Sequence, residues 1–528
     1  MLAEDQERLI VEVVHRVAAQ YLDDPKSVED CLLDTLYDER TRLESEPDSR
    51  RTRADQAYYD AMHRRLLGAD SALQRQLLLE TTRRFADEVA GYFDPRVYRL
   101  ATRMVPPALD VLLNALSPLK VAEAVFDGFE SIHTQLHLLG HTDTLVQLAE
   151  RGTVILVPTH VSNLDSVLVG YTIYRLGLPP FLYGAGLNLF ANPLIGFFLR
   201  HLGAYKVDRR KHAELYKDVL KTYAGCTMEL GYHNLFFPGA TRSRSGAVES
   251  EIKLGLLGMG LEAYRRGLKD GRAKPDIFVV PCTLNYQLVL EAETLIDDHL
   301  KAIGKSRYML EDDESSRPEL VLLYARKLFS LDSPIQLVVS QPLDIFGNPV
   351  NAEGTSLDPV GRPVARERYL MRDARLVDDP QRDHQLTRVL AEAVRQAYQR
   401  DTVINSVVLV ARVVFQLLQQ SNPQMDLYRL LRTGGRTESF ALTDVYARVE
   451  QLVGALRDAA ANGKVRLGPV VAQADAMDIV ADALAHLSSY HRQPALERRG
   501  DRLFHRDLRL LLYYQNRLAQ LSIAEQLP

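Results

Sequence analysis

Between residues 153 and 346, short apolar runs alternate with longer segments whose apolar residues recur at helical spacing. Apolar runs of this length are typical of buried β-strands, and the longer segments are typical of amphipathic helices. The alternation favours an α/β fold in which a central mixed sheet is layered with helices. The predicted strands lie in TVILVPT, AYKV, NLFFPG, IFVVPCTLNY and IQLVVSQPLDI, and the predicted helices in LDSVLVGYTIYRL, HAELYKDVLKTYAG and IKLGLLGMGLEAYRR.

The two ends of the chain have a different pattern, because helical spacing predominates there without intervening apolar runs. Examples are DQERLIVEVVHRVAAQYL near the start and QLTRVLAEAVRQAY after the α/β part. A length of 528 residues is enough for two or three domains. We therefore predict a helical N-terminal region (1–130), an α/β domain (131–346), a charged linker with prolines (347–384) and a helical C-terminal region (385–528).

Composition excludes several functional classes. The formal net charge of -5 gives no overall basic field, which argues against a nucleic-acid-binding protein. The three cysteines lie far apart without C-x-x-C spacing, so we expect reduced thiols and no metal site. The N-terminus, MLAEDQERLI, is too acidic and polar for a secretory signal.

One long uncharged stretch, Leu176 to Leu199, raises the possibility of membrane contact. Its length suits a transmembrane helix, but Pro179, Pro180 and Pro193 interrupt it. We expect buried core or a segment that lies on a membrane surface, and not a membrane-spanning helix.

The sequence VPTHVSNLD places Asp165 five residues after His160, at the end of a predicted strand. One such pair is expected by chance among 14 histidines, and a polar strand end before a capped helix gives the same pattern. The two side chains can meet only across a bend, and here the strand stops at Pro158-Thr159. Ser162 or Asn163 is the expected helix N-cap, which places Asp165 in the first helical turn. A carboxylate there can hold one imidazole nitrogen and leave the other as a base.

Two basic clusters follow later strands of the same predicted sheet. Either cluster alone is typical of a solvated surface, but strand ends in open α/β sheets gather into pockets. Arginine side chains and hydroxyl groups suit phosphate oxygens, so we expect both clusters to bind a phosphate near His160. The candidate residues are Lys206 and Arg209 in LGAYKVDRRK, and Thr241, Arg242, Ser243 and Arg244 in FFPGATRSRSG.

Together with VVPCTLNY, these blocks resemble the four motifs of glycerolipid acyltransferases in order and spacing. The motifs are H-x-x-x-x-D, G-x-x-x-[VI]-x-R, F-P-E-G-T-R-S-R-S-G and V-P-x-x-x-x-Y. Beyond them, DTVINSVVLVARVVFQLL and LLLYYQNRLAQL resemble C-terminal stretches of the glycerol-3-phosphate and dihydroxyacetone-phosphate acyltransferases. The resemblance covers most of the chain.

The resemblance implies transfer of a fatty acyl group from a CoA or carrier-protein thioester to the 1-hydroxyl of glycerol 3-phosphate. It implies that His160 is the general base and that Asp165 orients it. It also implies that the phosphate binds to Arg209, Arg242, Ser243 and Arg244. Pro281 would shape the acyl or acceptor pocket. No cofactor is implied apart from the thioester co-substrate, and the protein would be peripheral on the cytoplasmic side of the cell membrane.

Some residues depart from the motifs, and they leave other functions open. Gly239 stands where the third block of the family has glutamate, and Ala240 where it has glycine. The first block and Val207-Asp208-Arg209 are closer to the lysophosphatidate enzymes, so 1-acylglycerol 3-phosphate is an alternative acceptor. A non-catalytic scaffold that binds lipid phosphates is a third hypothesis, and Gly239 is its main support.

Overall fold

A mixed sheet of eight strands lies at the centre of the protein and confirms the predicted α/β fold class. The structure, a computed structural model, describes residues 3–22, 25–101, 135–187, 190, 193–239, 241–289, 291–303, 334–488, 491, 493–519 and 521. The strands of this sheet are β1 (Leu136–Gly140), β2 (Thr153–Pro158), β3 (Leu182–Gly186), β4 (Ala204–Val207), β5 (Asn234–Leu235), β6 (Ile277–Asn285), β7 (Ile335–Val339) and β8 (Leu343–Asp344).

The strand order is β1-β7-β6-β2-β5-β3-β4, with β8 also paired to β6. Strands β6, β2, β5, β3 and β4 are parallel to one another, whereas β7 and β8 run antiparallel to β6. Because the carboxyl ends of parallel strands meet at one edge, the segments that follow β2, β4, β5 and β6 lie on the same side of the sheet. Each of the four sequence blocks ends in one of these segments.

Among the residues described before the sheet, four helices bury apolar side chains against it. They are α1 (Ala3–Leu22), α2 (Pro25–Glu44), α3 (Arg50–Leu66) and α4 (Ser71–Val89). The side chains of Ser49 and Asp70 accept hydrogen bonds from backbone amides of the first turns of α3 and α4, which fixes where these helices begin. Val13, Val17 and Phe85 are fully buried in a core that also contains Tyr216 of the sheet's helical layer.

The helices that connect the strands are α5 (Thr142–Arg151), α6 (Asp165–Arg175), α7 (Pro193–His201), α8 (Glu214–Glu229), α9 (Leu254–Lys269) and α10 (Ala292–Ile303). Helices α6, α8 and α9 are the three predicted from the sequence. The segment SRYMLEDDESSRPE is rich in charged residues, and its sequence predicts a loop. This segment lies outside the described residues.

The segment predicted as a charged linker contains regular structure. Strands β9 (Ser356–Leu357) and β10 (Pro363–Val364) form one antiparallel pair, and β11 (Met371–Arg372) and β12 (Arg375–Leu376) form another. A 3-10 helix, Arg366–Leu370, lies between the pairs and buries Leu370 completely.

The C-terminal region adds seven helices and five short strands among the described residues. The helices are α11 (Pro380–Asp401), α12 (Ser406–Gln420), α13 (Leu427–Thr433), α14 (Leu442–Ala461), α15 (Pro469–Gln473), α16 (Ala476–Leu487) and α17 (Leu508–Ala519). The strands are β13 (Val403–Ile404), β14 (Ser439–Ala441), β15 (Arg466–Leu467), β16 (Leu496–Arg499) and β17 (Arg502–His505). Side chains of α12 and α17 share one continuous core with β2 and β6. The division into four regions stays a prediction.

The uncharged stretch from Leu176 to Leu199 contains β3 and most of α7. Strand β3 lies inside the sheet, between β4 and β5, so this part of the stretch is core. In the part of the chain that the structure describes, no helix combines the length and the apolar character needed to cross a bilayer.

Candidate active site

His160 and Asp165 meet across the bend that follows β2. Nδ1 of His160 lies 2.9 Å from Oδ2 of Asp165, and the carboxylate is fully buried while the imidazole is 17% exposed. The ring stacks on Phe237, with ring centres 4.2 Å apart. The strand-to-helix bend thus brings together two side chains that neither a straight strand nor a straight helix could join.

Asp165 accepts four hydrogen bonds, which is the arrangement expected of an ionised carboxylate. Oδ2 accepts from the backbone amides of Val161 (2.5 Å) and Ser162 (2.8 Å) in addition to His160. Oδ1 accepts from the hydroxyl group of Tyr286 at 2.5 Å. Because a carboxylate only accepts, Nδ1 of His160 is the donor in this contact, and in the neutral imidazole Nε2 then presents a lone pair.

The predicted N-cap is wrong. Helix α6 begins at Asp165, its N-cap is Leu164, and no side chain caps it. Ser162 and Asn163 instead bind the buried carboxylate of Glu291, through the Ser162 hydroxyl (2.9 Å) and the Asn163 amide (2.9 Å). The loop before α6 is therefore held by hydrogen bonds to the carboxylate of Glu291, and not by a side chain of its own that caps the helix.

The arginine turn, residues 241–246, lies directly beside the His160 loop. The backbone amide of Ser243 donates to the carbonyl oxygen of His160 at 2.8 Å. Nη1 of Arg242 lies 3.4 Å from Oε1 of Glu291, the carboxylate that also holds the His160 loop. Two independent contacts therefore connect the predicted phosphate-binding turn to the predicted base.

Helix α17 fixes the far side of this turn. Asn516 donates to the carbonyl oxygen of Ser245 at 2.9 Å. Gly246 has a φ of +80°, and an added Cβ would lie 2.1 Å from the carbonyl oxygen of Tyr513. Only glycine fits this close approach, so the C-terminal helix helps to define the shape of the arginine turn.

Positive charge accumulates around the turn. The pKa of Arg209, which follows β4, is lowered by partial burial and by the positive charges of Arg242 and Arg244. The pKa of His299 is lowered by burial and by Arg244. An open cavity of about 340 Å³ is bordered by Gly239 and by the predicted residues Thr241, Arg242, Ser243 and Arg244. An anion with several oxygen atoms would relieve this repulsion between like charges.

The border of this cavity does not include three other predicted substrate or pocket residues, Lys206, Arg209 and Pro281. Lys206 borders a separate cavity, together with Arg51 and Glu88. Burial lowers the pKa of Lys206, and the positive charges of Arg200 and Arg51 lower it further. Pro281 lies within β6, opposite Val157 of β2, where β8 has ended and the pairing with β7 has not begun. Since neither β7 nor β8 is paired with β6 at this position, the absence of an N–H group in Pro281 costs no hydrogen bond to either strand.

Sequence reasoning assigned no role to Tyr286, Glu249, Glu291 or Arg517, which complete the site. Tyr286 could have been found, because it is the last residue of the fourth block. Arg517, in α17, is buried and donates to Leu284 O (2.8 Å) and to Asn285 Oδ1 (3.0 Å). Burial lowers its pKa, while the negative charge of Asp165 raises it.

The burial of Tyr286 raises its pKa well above the usual value, and so does the adjacent charge of Asp165. Its hydroxyl group therefore stays protonated and remains a donor to the carboxylate. No group of three or more histidine, cysteine, aspartate or glutamate side chains in the described part of the chain is placed to hold a metal ion.

The part of the chain that contains this site is similar in sequence to known proteins. Residues 141–285 match the family model described as "Acyltransferase". The chain is 30% identical over 264 residues to a glycerol-3-phosphate acyltransferase of Haemophilus ducreyi, which covers 50% of this chain and 28% of that protein. It is 28% identical over 349 residues to a glycerol-3-phosphate acyltransferase of Pseudomonas paraeruginosa, covering 66% of this chain and 36% of the relative.

A third relative, the glycerol-3-phosphate acyltransferase of Actinobacillus succinogenes, is 33% identical over 193 residues, or 36% of this chain and 22% of that protein. In each of these relatives the chain matches well under half of the length. The resemblance inferred from the four blocks is confirmed. The residues that match the acyltransferase family model, 141–285, include His160, Asp165 and the arginine turn.

Proposed function

We propose that the protein is a glycerol-3-phosphate 1-O-acyltransferase that uses an acyl-CoA or acyl-carrier-protein thioester and no further cofactor. The observation that carries the proposal is the contact between Ser243 N and His160 O, because it joins an oriented histidine to a turn rich in arginine. A base beside an anion site suits an acceptor that carries both a hydroxyl group and a phosphate. The similarity to three bacterial glycerol-3-phosphate acyltransferases supports this acceptor.

In the proposed reaction, the hydroxyl oxygen of the acceptor attacks the carbonyl carbon of the thioester. At the same time Nε2 of His160 accepts the proton of that hydroxyl group. Asp165 keeps Nδ1 protonated and stabilises the imidazolium that forms. The C–O ester bond forms, the C–S bond breaks, and the proton passes from His160 to the departing thiolate. An oriented base of this kind contributes on the order of 10²–10⁴ to the rate.

The phosphate of the acceptor would bind to Arg209, Arg242 and Arg244. Burial lowers the pKa of Arg209, and so do the positive charges of Arg242 and Arg244, and a bound dianion would offset both effects. Holding the phosphate in place restricts the hydroxyl group to the neighbourhood of His160 and lowers the entropic cost of the encounter.

The acceptor 1-acylglycerol 3-phosphate remains the second candidate, because Val207-Asp208-Arg209 and Asn163 are closer to the lysophosphatidate enzymes. The purified protein, supplied with a long-chain acyl-CoA, separates the two when each acceptor is offered in turn. Release of free thiol with glycerol 3-phosphate, and little with 1-acylglycerol 3-phosphate, is the expected result. The reverse preference would overturn the proposed acceptor.

We also propose that the protein associates peripherally with the cytoplasmic face of the cell membrane. Phe197 on α7 is 43% exposed and packs edge-on against Phe198. Such a side chain suits the boundary between headgroups and acyl chains, into which the acylated product also partitions. Co-sedimentation with phosphatidylglycerol vesicles is expected for the wild type and is expected to weaken in Phe197→Ser. Equal sedimentation of both proteins would remove this role of α7.

A further inference from the structure

A carboxyl group from further along the chain occupies the space beside Gly239. The segment that begins at Gly239 folds back on itself, since the amide of Lys253 donates to the carbonyl oxygen of Pro238 at 2.9 Å. A Cβ added to Gly239 would lie 2.7 Å from Oε2 and 2.8 Å from Cδ of Glu249. The space therefore holds either a side chain at position 239 or that of Glu249, but not both.

Glu249 contacts the backbone of the base directly. Oε1 accepts a hydrogen bond of 2.5 Å from the backbone amide of His160, and Oε2 is buried. The carbonyl oxygen of His160 accepts a hydrogen bond from the backbone amide of Ser243. The loop that carries the arginines thus holds His160 by both its amide and its carbonyl group.

We propose that Glu249 is a positioning residue that replaces, from a new place in the sequence, the glutamate missing from the third block at Gly239. Its carboxyl group orients His160 relative to the arginine turn. This inference rests on the proposed acyl transfer, and it explains how the block can lack its glutamate without losing that carboxyl group from the site. It also removes the main support for a non-catalytic scaffold.

The protonation of Glu249 suggests which substitution is conservative. Burial and the charge of Asp165 raise the pKa of Glu249 to about 8, against the lowering effect of the His160 and Gly239 amides. Near neutral pH the group is a neutral acid whose Oε1 accepts a hydrogen bond. Glutamine has nearly the same shape and the same acceptor, so Glu249→Gln is expected to keep most of the activity.

The test compares four variants: Glu249→Ala, Glu249→Gln, Gly239→Glu and the double variant Gly239→Glu with Glu249→Ala. Loss of one hydrogen bond of about 1.4 kcal/mol in the transition state lowers kcat about tenfold, which is expected for Glu249→Ala. Gly239→Glu alone is also expected to be impaired, because the two glutamates compete for one space. The double variant is expected to recover to within a few-fold of the wild type.

Recovery of the double variant to a kcat well above that of Glu249→Ala is the decisive result, since relief of the clash alone would restore only the level of Glu249→Ala. Glu353→Ala, at an exposed glutamate distant from the site, is the matched control. The acceptor for all assays is whichever of glycerol 3-phosphate or 1-acylglycerol 3-phosphate the wild type prefers, so that a wrong acceptor and a wrong role for Glu249 are told apart. Full activity of Glu249→Ala, or a double variant no better than either single one, would overturn the inference.

Discussion

The hydroxyl group of Tyr286 and the carboxylate of Asp165 are joined by a hydrogen bond of 2.5 Å, on the oxygen that does not hold His160. Tyr286 is fully protonated at neutral pH because burial raises its pKa. It therefore reaches the base only through Asp165, as a positioning residue at the end of β6.

Replacement of Tyr286 by phenylalanine is expected to lower kcat about tenfold, which corresponds to about 1.4 kcal/mol. The hydrogen bond helps the carboxylate to stabilise the charge that develops on His160, so its effect is greatest in the transition state. KM for glycerol 3-phosphate is expected to stay within twofold, because the arginine turn is unchanged. Tyr37→Phe, at a tyrosine that is 72% exposed, is the control. An unchanged kcat for Tyr286→Phe would exclude this role.

Replacement of His160 by alanine is expected to reduce acyl transfer by about 10²–10⁴-fold, since the acceptor hydroxyl then loses its base. Circular dichroism is expected to match the wild type, because the imidazole is at the edge of the core. The control is His15→Ala, at an exposed histidine of α1. A His160→Ala protein that is folded and nearly fully active contradicts the mechanism.

Replacement of Arg244 by alanine is expected to raise KM for glycerol 3-phosphate about 10–100-fold, because a charge-assisted hydrogen bond contributes about 1.5–3 kcal/mol. KM for the thioester is expected to change little. Arg388→Ala, at an exposed arginine of α11, controls for the loss of a positive charge. With glycerol, which lacks a phosphate, wild type and Arg244→Ala should be equally slow, and a persistent difference would mean that Arg244 acts elsewhere.

The stability of the protein should depend on the ionisation of Glu249. Its pKa is raised from 4.5 to about 8 on folding, so the folded state binds the proton more tightly than the unfolded state. This contribution to stability is fully present below pH 4.5 and is lost as the pH rises towards 8. The melting temperature of Glu249→Gln relative to the wild type is therefore expected to increase between pH 5 and pH 8.5. A constant difference across that range would show that Glu249 is ionised throughout.

The sequence was most informative about strands that are apolar throughout. Strands β2 and β6, predicted from continuous runs, are buried along their whole length. Strand β3 was not predicted, because Gly184 and Gly186 are weak strand formers and only its neighbours β4 and β5 specify its conformation. Strand β1 was also missed, since three of its five residues are exposed at the edge of the sheet.

In the candidate site, residues that act within one local segment could be predicted, whereas partners from distant segments could not. His160 and Asp165 share one bend, so their spacing revealed them. Glu249 reaches the same bend from 89 residues away, and Arg517 reaches the end of β6 from helix α17, so no spacing in the sequence marks them. Lys206 was grouped with Arg209 because they are near neighbours in the chain, but Lys206 borders a cavity with Arg51 and Glu88, whereas the charges of Arg242 and Arg244 act on Arg209.

Arg517 provides a test of whether α17 is part of the catalytic structure. Its guanidinium group donates hydrogen bonds to the carbonyl oxygen of Leu284 and to the side chain of Asn285. These two residues directly precede Tyr286 in the chain. Arg517→Leu removes a buried donor to the carbonyl oxygen of Leu284 and one of the two donors to Asn285 Oδ1, the other being the amide of Val403. We therefore expect a loss of unfolding free energy on the order of 3 kcal/mol. Since the end of β6 positions Tyr286, kcat is expected to fall more than KM. Urea denaturation and steady-state kinetics measure the two effects, with Arg388→Leu as the surface control. If Arg517→Leu lost stability but kept its full kcat below the denaturation midpoint, α17 would support the fold without contributing to the geometry around Asp165.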